Sequence, residues 1–219
     1  TAGIGRELAE RLAADGMSVV VSGRDAARAQ SVAAEIGPSV TGIALDLAEP
    51  ATLRDALAGV GQVDALIIAA IERDANSVKD YDIEGATRLA VLKLVGYTEA
   101  VHVLADRLTP TASIVLFGGL AMLRPYPGST TVTTVNGGVS AMIRTLASEL
   151  APVRVNAVHP GIVGDSPAWE DKDLSMVISR TPIGRTVTMD EIVGATLFLL
   201  DNGGVNGQNL MVEGGVLVR

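Results

Sequence analysis

The sequence predicts an α/β fold in which helices cover both faces of a doubly wound, mostly parallel sheet. Short β-branched runs alternate with Ala-rich helical segments along the whole chain. Of the 219 residues, 48% are hydrophobic but only 3% aromatic, which suits strands of Val, Ile and Leu under helices. Because no linker-like composition or repeat interrupts the alternation, residues 1–219 are predicted to form a single domain.

Composition excludes several function classes. The net charge of -8 and the lack of a basic stripe argue against a nucleic-acid surface. The chain has no cysteine, so a disulfide framework and a thiolate metal site are excluded, no metal is expected, and a cytoplasmic location is the simplest interpretation. Apolar runs such as 63–71 are too short to span a bilayer, so no membrane partner is expected.

The opening stretch, Thr1–Gly16, carries a phosphate-binding pattern. Gly3, Ile4 and Gly5 lead into a helix with apolar residues at every fourth position, and Asp15-Gly16 ends it. Glycines allow close backbone approach, and the free N–H groups and dipole of a helix N-terminus favour an anion. Such a turn follows a strand in dinucleotide-binding units, so we expect that the natural protein has roughly ten further N-terminal residues containing that first strand.

The remaining elements follow in order, each marked by its own signals. Gly37-Pro38 closes one helix, Pro50 occupies the first turn of the next, and the strand 65–71 is apolar on both faces, which predicts a central position in the sheet. Strands are predicted at 17–22, 40–45, 65–71, 113–117, 153–158 and 209–212. Helices are predicted before Ile36, after Glu49, at about 79–108 with a break near Gly85, at about 131–150 and at 189–200, with a short helical flap at 165–180.

Two strand ends carry candidate nucleotide contacts. Ser22 and Gly23 stand where an acidic residue would bind the ribose hydroxyls of NAD, and Arg24 follows. A guanidinium there favours a 2′-phosphate, hence NADP (NADPH) over NAD; the alternative is a solvated loop arginine. Asp46 follows the next strand and has two interpretations, an acceptor for an adenine amino group or a helix cap.

The order of these landmarks resembles the short-chain dehydrogenase/reductase family along essentially the whole chain. The matching pieces are Gly3-Ile4-Gly5, Ser22-Gly23-Arg24, Leu45-Asp46-Leu47, the strand after Asp64, residues 154–161, residues 181–185 and residues 206–215. The resemblance implies a Rossmann-type sheet of seven strands, a homodimer or homotetramer, and NAD(P) bound at Gly3, Ile4, Gly5, Ser22, Arg24, Asp46, Leu47, Asn136, Pro160 and Gly161.

The resemblance also implies that the family's catalytic residues are replaced. The family's serine falls on Gly119, its tyrosine on Val132, its lysine on Asn136 and its asparagine on Lys93. No tyrosine or lysine occurs between residues 130 and 140, so a shifted register does not restore the set. A phenol that exchanges a proton and an ammonium that lowers its pKa are therefore missing from their usual places.

Three residues are the remaining catalytic candidates. Lys93 stands at the family's asparagine position and Asn136 at its lysine position, so the ammonium and the amide have exchanged helices and both are expected near the cofactor ribose. The alternative for Lys93 is a solvent-facing side chain. Tyr126, in a proline-bounded loop over the cleft, is either a proton donor or a lid aromatic, and His159 is interpreted as part of a strand-end turn. The sequence thus favours an NADP(H)-dependent oxidoreductase of a small carbonyl or alcohol; the alternative is a non-catalytic nucleotide-binding sensor or partner subunit.

Overall fold

A computed structural model describes residues 1–72 and 74–218, in which six parallel strands alternate with eight α-helices. The strands are β1 (Val19–Gly23), β2 (Val40–Ala44), β3 (Val63–Ile68), β4 (Leu108–Phe117), β5 (Arg154–Pro160) and β6 (Asn209–Val212). The helices are α1 (Gly3–Ala14), α2 (Ala26–Ile36), α3 (Leu53–Ala56), α4 (Ile83–Ala90), α5 (Tyr97–Leu104), α6 (Thr130–Glu149), α7 (Ser175–Arg180) and α8 (Met189–Asp201). Four 3₁₀ turns (Pro50–Thr52, Ala105–Arg107, Leu120–Met122, Val216–Val218) and a π turn (Val91–Gly96) complete the described elements.

The strands form two parallel sheets, β1-β2 and β3-β4-β5-β6. The α/β class with parallel strands is therefore confirmed, whereas the resemblance implied one sheet of seven strands. In the described residues β3 pairs with β4 alone, and the central position predicted for strand 65–71 stays a prediction. Residues 112–117 of β4 and 155–159 of β5 are buried, and Ile114, Val115 and Val155 are 0% exposed because helices cover both faces.

Helix α1 packs between the two sheets. Its Leu8 is 2% exposed and belongs to a cluster with Val115, Phe117 and Val158 of the larger sheet. On its other side Ala9 packs with Val21 of β1. The position of the helix start relative to both sets of strand ends is therefore fixed by apolar packing.

Local sequence explains where three of the eight described α-helices begin. Asp25 and Asp82 accept hydrogen bonds from the first turns of α2 and α4, and Thr188 forms a capping box with Glu191 at α8. Gly16 ends α1 with a φ of 86°, in the left-handed region that favours glycine. These ends agree with the predicted ones to within a few residues.

Two helical predictions are corrected. The segment predicted as a helix over 79–108 begins at Ile83, and its irregularity is the π turn Val91–Gly96 rather than a break near Gly85. The strand that follows begins at Leu108 rather than Ser113. Only residues 175–180 of the predicted helical flap form a helix; turns and bends fill most of 165–174.

Candidate active site

One cavity of about 840 Å³ lies at the carboxyl ends of the larger sheet. It is lined by the start of α1, the π turn, the segment after β4, the first turns of α6, the end of β5 and the flap. Predicted site residues that line it are Gly3, Ile4, Gly5, Lys93, Gly119, Tyr126, Val132, Asn136, Pro160 and Gly161. Ser22, Arg24, Asp46 and Leu47 lie outside it, and the Leu47 side chain is buried in the core.

The glycines at the start of α1 leave open space beside the backbone. Gly3 has a φ of 53° and begins the helix, so the two glycines lie within its first turn rather than before it. A Cβ atom built on Gly3 or Gly5 would meet no atom within 4 Å in the described residues. Because Ala2 provides no side-chain cap, the first-turn N–H groups are available to a bound anion.

Arg24 lies at the end of β1 in a network of alternating charges. Its Nη1 donates to Glu72 Oε1 at 2.8 Å, and its side chain is 66% exposed. Glu72 is also held by Arg88, which donates to both carboxylate oxygens at 2.9–3.2 Å. Since this second contact holds Glu72 independently of Arg24, the exposed Arg24 is free to turn toward another anion at little cost.

Asp46 is occupied by protein contacts. Its Oδ1 accepts the Ala48 N–H at 2.9 Å, and its Oδ2 accepts from Arg88 Nη2 at 2.9 Å. Partial burial alone would raise the pKa of the Asp46 carboxyl, but the Arg88 and Ala48 hydrogen bonds outweigh it and hold the pKa below its ordinary value. Of the two interpretations of Asp46, the structure shows the turn-capping contact, together with an ion pair that the sequence did not predict.

Lys93 is fully buried in the π turn and reaches the cavity wall. Its Nζ donates to Phe117 O at 2.7 Å and to Tyr97 Oη at 2.8 Å. The solvent-facing alternative is therefore wrong. Burial lowers the pKa of Lys93 to about 7, because desolvation penalises the ammonium. Two of the three N–H donors of the charged form are used, which leaves one for a group in the cavity.

Tyr97 supports Lys93 from the following turn. It is 0% exposed, and its Oη donates to Ala70 O at 2.8 Å, just past the end of β3. Burial raises the pKa of Tyr97 well above its ordinary value, so the phenol keeps its proton. Tyr97 therefore acts as a fixed hydrogen-bond partner that links Lys93 to the end of β3.

Asn136 is a polar side chain of the inner cavity that has no protein hydrogen-bond partner. It is 5% exposed, lines the cavity, and makes no side-chain hydrogen bond to another described residue. A Cβ atom built on Gly119 would lie 2.9 Å from Asn136 Nδ2, so the amide occupies the space beside that glycine. Val132, one helical turn earlier, adds only apolar surface. The amide is therefore open to the cavity and available to hydrogen-bond a group bound there.

His159 is a structural residue beneath the cavity floor. Its Nδ1 accepts the Gly119 N–H at 3.1 Å, so Nε2 carries the proton and donates to Asn209 Oδ1 at 2.7 Å. Burial lowers its pKa; the nearby charge of Lys93 acts in the same direction. The imidazole is thereby kept neutral and fixes the backbone at Gly119, in agreement with its interpretation as part of the strand-end turn.

Tyr126 lies at the mouth of the cavity. Its residue is 56% exposed, and its backbone N–H and carbonyl are both held by Ser129 Oγ. The loop is thus anchored, and Tyr126 stays more than half exposed where it lines the cavity. This position suits the lid interpretation of Tyr126 better than that of a proton donor to groups beside Lys93.

The sequence did not single out Tyr97, Glu72 or Arg88. Tyr97 is four residues after Lys93, and this spacing was the one available signal that the two side chains meet on a helix. The contacts of Arg88 with Asp46 and Glu72 join residues 42 and 16 positions apart, and no local pattern encodes such pairs.

Comparisons with known proteins identify the family of the chain. A family model described as Enoyl-(Acyl carrier protein) reductase matches residues 1–217. The chain is 31% identical over 229 residues to L-xylulose reductase of Bos taurus, covering 98% of this chain and 92% of the relative. A solved structure described as a short chain dehydrogenase/reductase family protein superposes with a TM-score of 0.89 at 31% identity, covering 100% of this chain and 94% of that one. The chain belongs to the short-chain dehydrogenase/reductase family.

Members of the short-chain dehydrogenase/reductase family are reductases and dehydrogenases of small substrates and generally bind a nicotinamide cofactor. One similar protein, 29% identical over 92% of this chain and 95% of its own length, is called inactive 2-(S)-hydroxypropyl-CoM dehydrogenase 2, from Xanthobacter autotrophicus. Among the described residues, no helix has the length and apolarity needed to cross a membrane. No cluster of three or more potential ligand side chains in the same residues could hold a metal ion.

Proposed function

We propose that this protein binds NADP(H) and reduces a small carbonyl compound, or oxidises the corresponding alcohol. The observation that carries the proposal is the single cavity that joins the open glycine turn of α1 to Lys93 and Asn136. The residues present fit a dinucleotide, because N–H donors for an anion lie at one end of the cavity and the Asn136 amide, which has no protein partner, lies further in. We further propose that the protein is a cytoplasmic homodimer or homotetramer.

The nucleotide end supports NADP(H) over NAD(H). Ser22 and Gly23 offer no carboxylate for a ribose diol, whereas Arg24 is exposed and held by one contact to Glu72. A 2′-phosphate carries more negative charge than a carboxylate and binds a guanidinium strongly. Arg24 would therefore leave Glu72 for the phosphate, while Arg88 keeps Glu72 in place.

Inside the cavity, Lys93 is the group that holds the transferable proton. A bound nicotinamide cofactor supplies or accepts the hydride. Lys93 Nζ, with its pKa lowered to about 7, gives a proton to the developing alkoxide in reduction and takes one from the alcohol in oxidation. The Asn136 Nδ2–H polarises the carbonyl oxygen or orients the ribose, and Phe117 O and Tyr97 Oη fix the ammonium.

Binding and turnover test the proposal separately. NADPH and NADH are titrated by cofactor fluorescence, and loss of NADPH absorbance is then followed with a panel of aldehydes, ketones and quinones. We expect tighter binding of NADPH than of NADH, and turnover of at least one carbonyl. NADPH binding with no turnover on any substrate would reject the reductase proposal and leave the cofactor proposal standing.

The second candidate is a non-catalytic nucleotide-binding sensor or partner subunit. Gly119 and Val132 favour it, since both line the cavity without a titratable side chain. Losing a general acid typically costs a factor of about 10²–10⁴ in rate. The relative named as an inactive dehydrogenase gives this candidate a precedent among similar proteins. Cofactor binding that changes assembly or partner binding, without carbonyl turnover, is the result that this candidate predicts.

A further inference from the structure

The part of the cavity beneath the flap is lined mainly by apolar side chains. Trp169, Met176 and Val177 line it from the flap, and Ile162 and Val163 line it from the segment after β5. These side chains have no hydrogen-bonding group apart from the indole N–H. A substrate fragment that lies here gains mainly from leaving water.

The mouth of the same cavity carries two arginines. Arg124 and Arg180 both line the cavity and are exposed. Arg124 Nη1 donates to Val216 O at 2.8 Å, which holds that side chain against the C-terminal 3₁₀ turn. The Arg180 side chain has no hydrogen bond or ion pair with another described residue. It lies four residues after Met176 on α7, so a cation and an apolar group share one helical face.

The flap acids do not neutralise the positive charge of Arg124 and Arg180 in the cavity. The flap acids Asp165, Glu170, Asp171 and Asp173 do not line it, so they do not oppose an anion there. Asp165 accepts the Met189 N–H, and Asp173 caps Ser175. Glu213 is the acidic residue among the described lining residues, and its Oε2 accepts the Leu217 N–H at 3.1 Å.

The geometry points to a carbonyl substrate with an apolar body and an anionic group at the end remote from the reacting carbon. Arg180 binds the anion and Arg124 assists it, while the body lies under Trp169 and Met176. This inference rests on the proposed function for the position of the carbonyl, but the preference for an anion depends only on the cavity mouth. Charge-assisted contacts of this kind are stronger than neutral hydrogen bonds, although exposure reduces their effect.

The test compares 4-carboxybenzaldehyde with its methyl ester, methyl 4-formylbenzoate. Trp169 is the only tryptophan of the chain and lines the cavity, so quenching of its fluorescence reports binding without turnover. Titrations are made with and without NADP⁺, and NADPH oxidation is measured with both compounds. The variants are Arg180→Gln, Arg124→Gln and the double variant, with Arg144→Gln as the control, because Arg144 is exposed on α6 and does not line the cavity.

We expect the unmodified protein to bind the acid about tenfold more tightly than the ester, and the double variant to lose this preference. Arg144→Gln should keep it, and salt should weaken acid binding alone. Equal affinity for the two compounds, a preference that survives in the double variant, or absence of quenching by both would overturn the inference. An acid preference in quenching without any turnover would support it and count against the proposed activity alone.

Discussion

Lys93 is fully buried, and its Nζ donates hydrogen bonds to a backbone carbonyl and a phenol rather than to a carboxylate. Its folded-state pKa of about 7 lies below the ordinary 10.5, so the unfolded chain binds more protons between these values. Burial of Lys93 therefore lowers the free energy of unfolding most below pH 7, and this loss shrinks as the pH rises toward 10.5. A side chain that costs the fold stability at neutral pH is typical of a functional site.

Replacement of Lys93 by methionine is expected to stabilise the protein. Methionine fills the space without a charge, and Tyr97 still donates to Ala70 O. At pH 7 the free energy of unfolding should rise by about 2–4 kcal/mol, and the difference from the unmodified protein should shrink toward pH 10. Urea denaturation at pH 7 and pH 9.5 measures both values. A destabilised Lys93→Met protein at pH 7 would contradict a buried lysine with a lowered pKa.

The same titration predicts the pH dependence of catalysis. Reduction needs the protonated form of Lys93, so the rate at saturating NADPH should fall as the pH rises through about 7. Oxidation of the alcohol needs the neutral amine and should rise over the same interval. The measurement is initial rate against pH from 6 to 9.5 in both directions. A reduction rate that stays constant to pH 9.5 would mean that another group supplies the proton.

Arg24→Ala is expected to weaken NADPH binding by about 10- to 100-fold and NADH binding by less than about threefold, because only NADPH has the 2′-phosphate. Glu72→Gln should tighten NADPH binding, since it releases Arg24 from a competing carboxylate. Arg54→Ala, an exposed change on α3 outside the cavity lining, is the control. Fluorescence titration measures each constant. Equal losses for the two cofactors in Arg24→Ala would refute the 2′-phosphate contact.

At the scale of elements, the π turn Val91–Gly96 determines where Lys93 lies. The extra residue per turn interrupts a helix that otherwise runs from Ile83 to Leu104, and π turns often occur at functional sites. Gly96 ends the π turn and lies against the backbone that follows β2, since a Cβ built on it would collide with Leu47 O. The position of the Lys93 side chain thus depends on the contact of Gly96 with Leu47, three residues further along the π turn.

Gly96→Ala is expected to destabilise the protein by about 2–4 kcal/mol, because the colliding atom is backbone and cannot rotate away. Gly194→Ala in α8 is the matched control. A Cβ on Gly194 meets nothing within 4 Å in the described residues, so alanine should stabilise that helix by up to about 1 kcal/mol. Thermal unfolding distinguishes the two. A tolerated Gly96→Ala would show that the π turn can move away from Leu47.

The elements also show what sequence reasoning can reach. The helix after Gly3-Ile4-Gly5, its end at Asp15-Gly16 and the β6 bounds were predicted because local chemistry specifies them. The π turn was not, since glycine and valine in VLKLVG weaken a helix without specifying a π turn, and the close approach of Gly96 to Leu47 O joins residues distant in sequence. Likewise, Lys93 had two interpretations, because burial of a lysine depends on residues from β3 and β4 that are distant in sequence.

At the scale of the whole molecule, the cavity brings together the start of α1, the π turn, α6 and the flap. Belonging to the family explains why these segments converge at strand ends, as parallel α/β sheets place ligands there. Of the residues that the sequence assigned to the nucleotide, Gly3, Gly5 and Asn136 line this cavity, and their contacts with a cofactor stay predictions. The Arg24–Glu72–Arg88–Asp46 network could not be predicted, since its pairs form only when distant strand ends meet. The fold that positions the cavity can therefore be kept while its catalytic side chains change.

The triple variant Gly119→Ser, Val132→Tyr and Asn136→Lys tests that separation. All three positions line the cavity, and Asn136→Lys removes the amide that a side chain on Gly119 would crowd. If the scaffold still positions substrate against the cofactor, carbonyl reduction should increase by about 10²–10⁴-fold, the usual contribution of a positioned general acid. NADPH oxidation with the same carbonyl panel measures this, with Val132→Phe as the control for ring size without a hydroxyl. A triple variant that binds NADPH and stays as slow as Val132→Phe would show that the cavity itself no longer presents a carbonyl, because the proton donor would then be in place without effect.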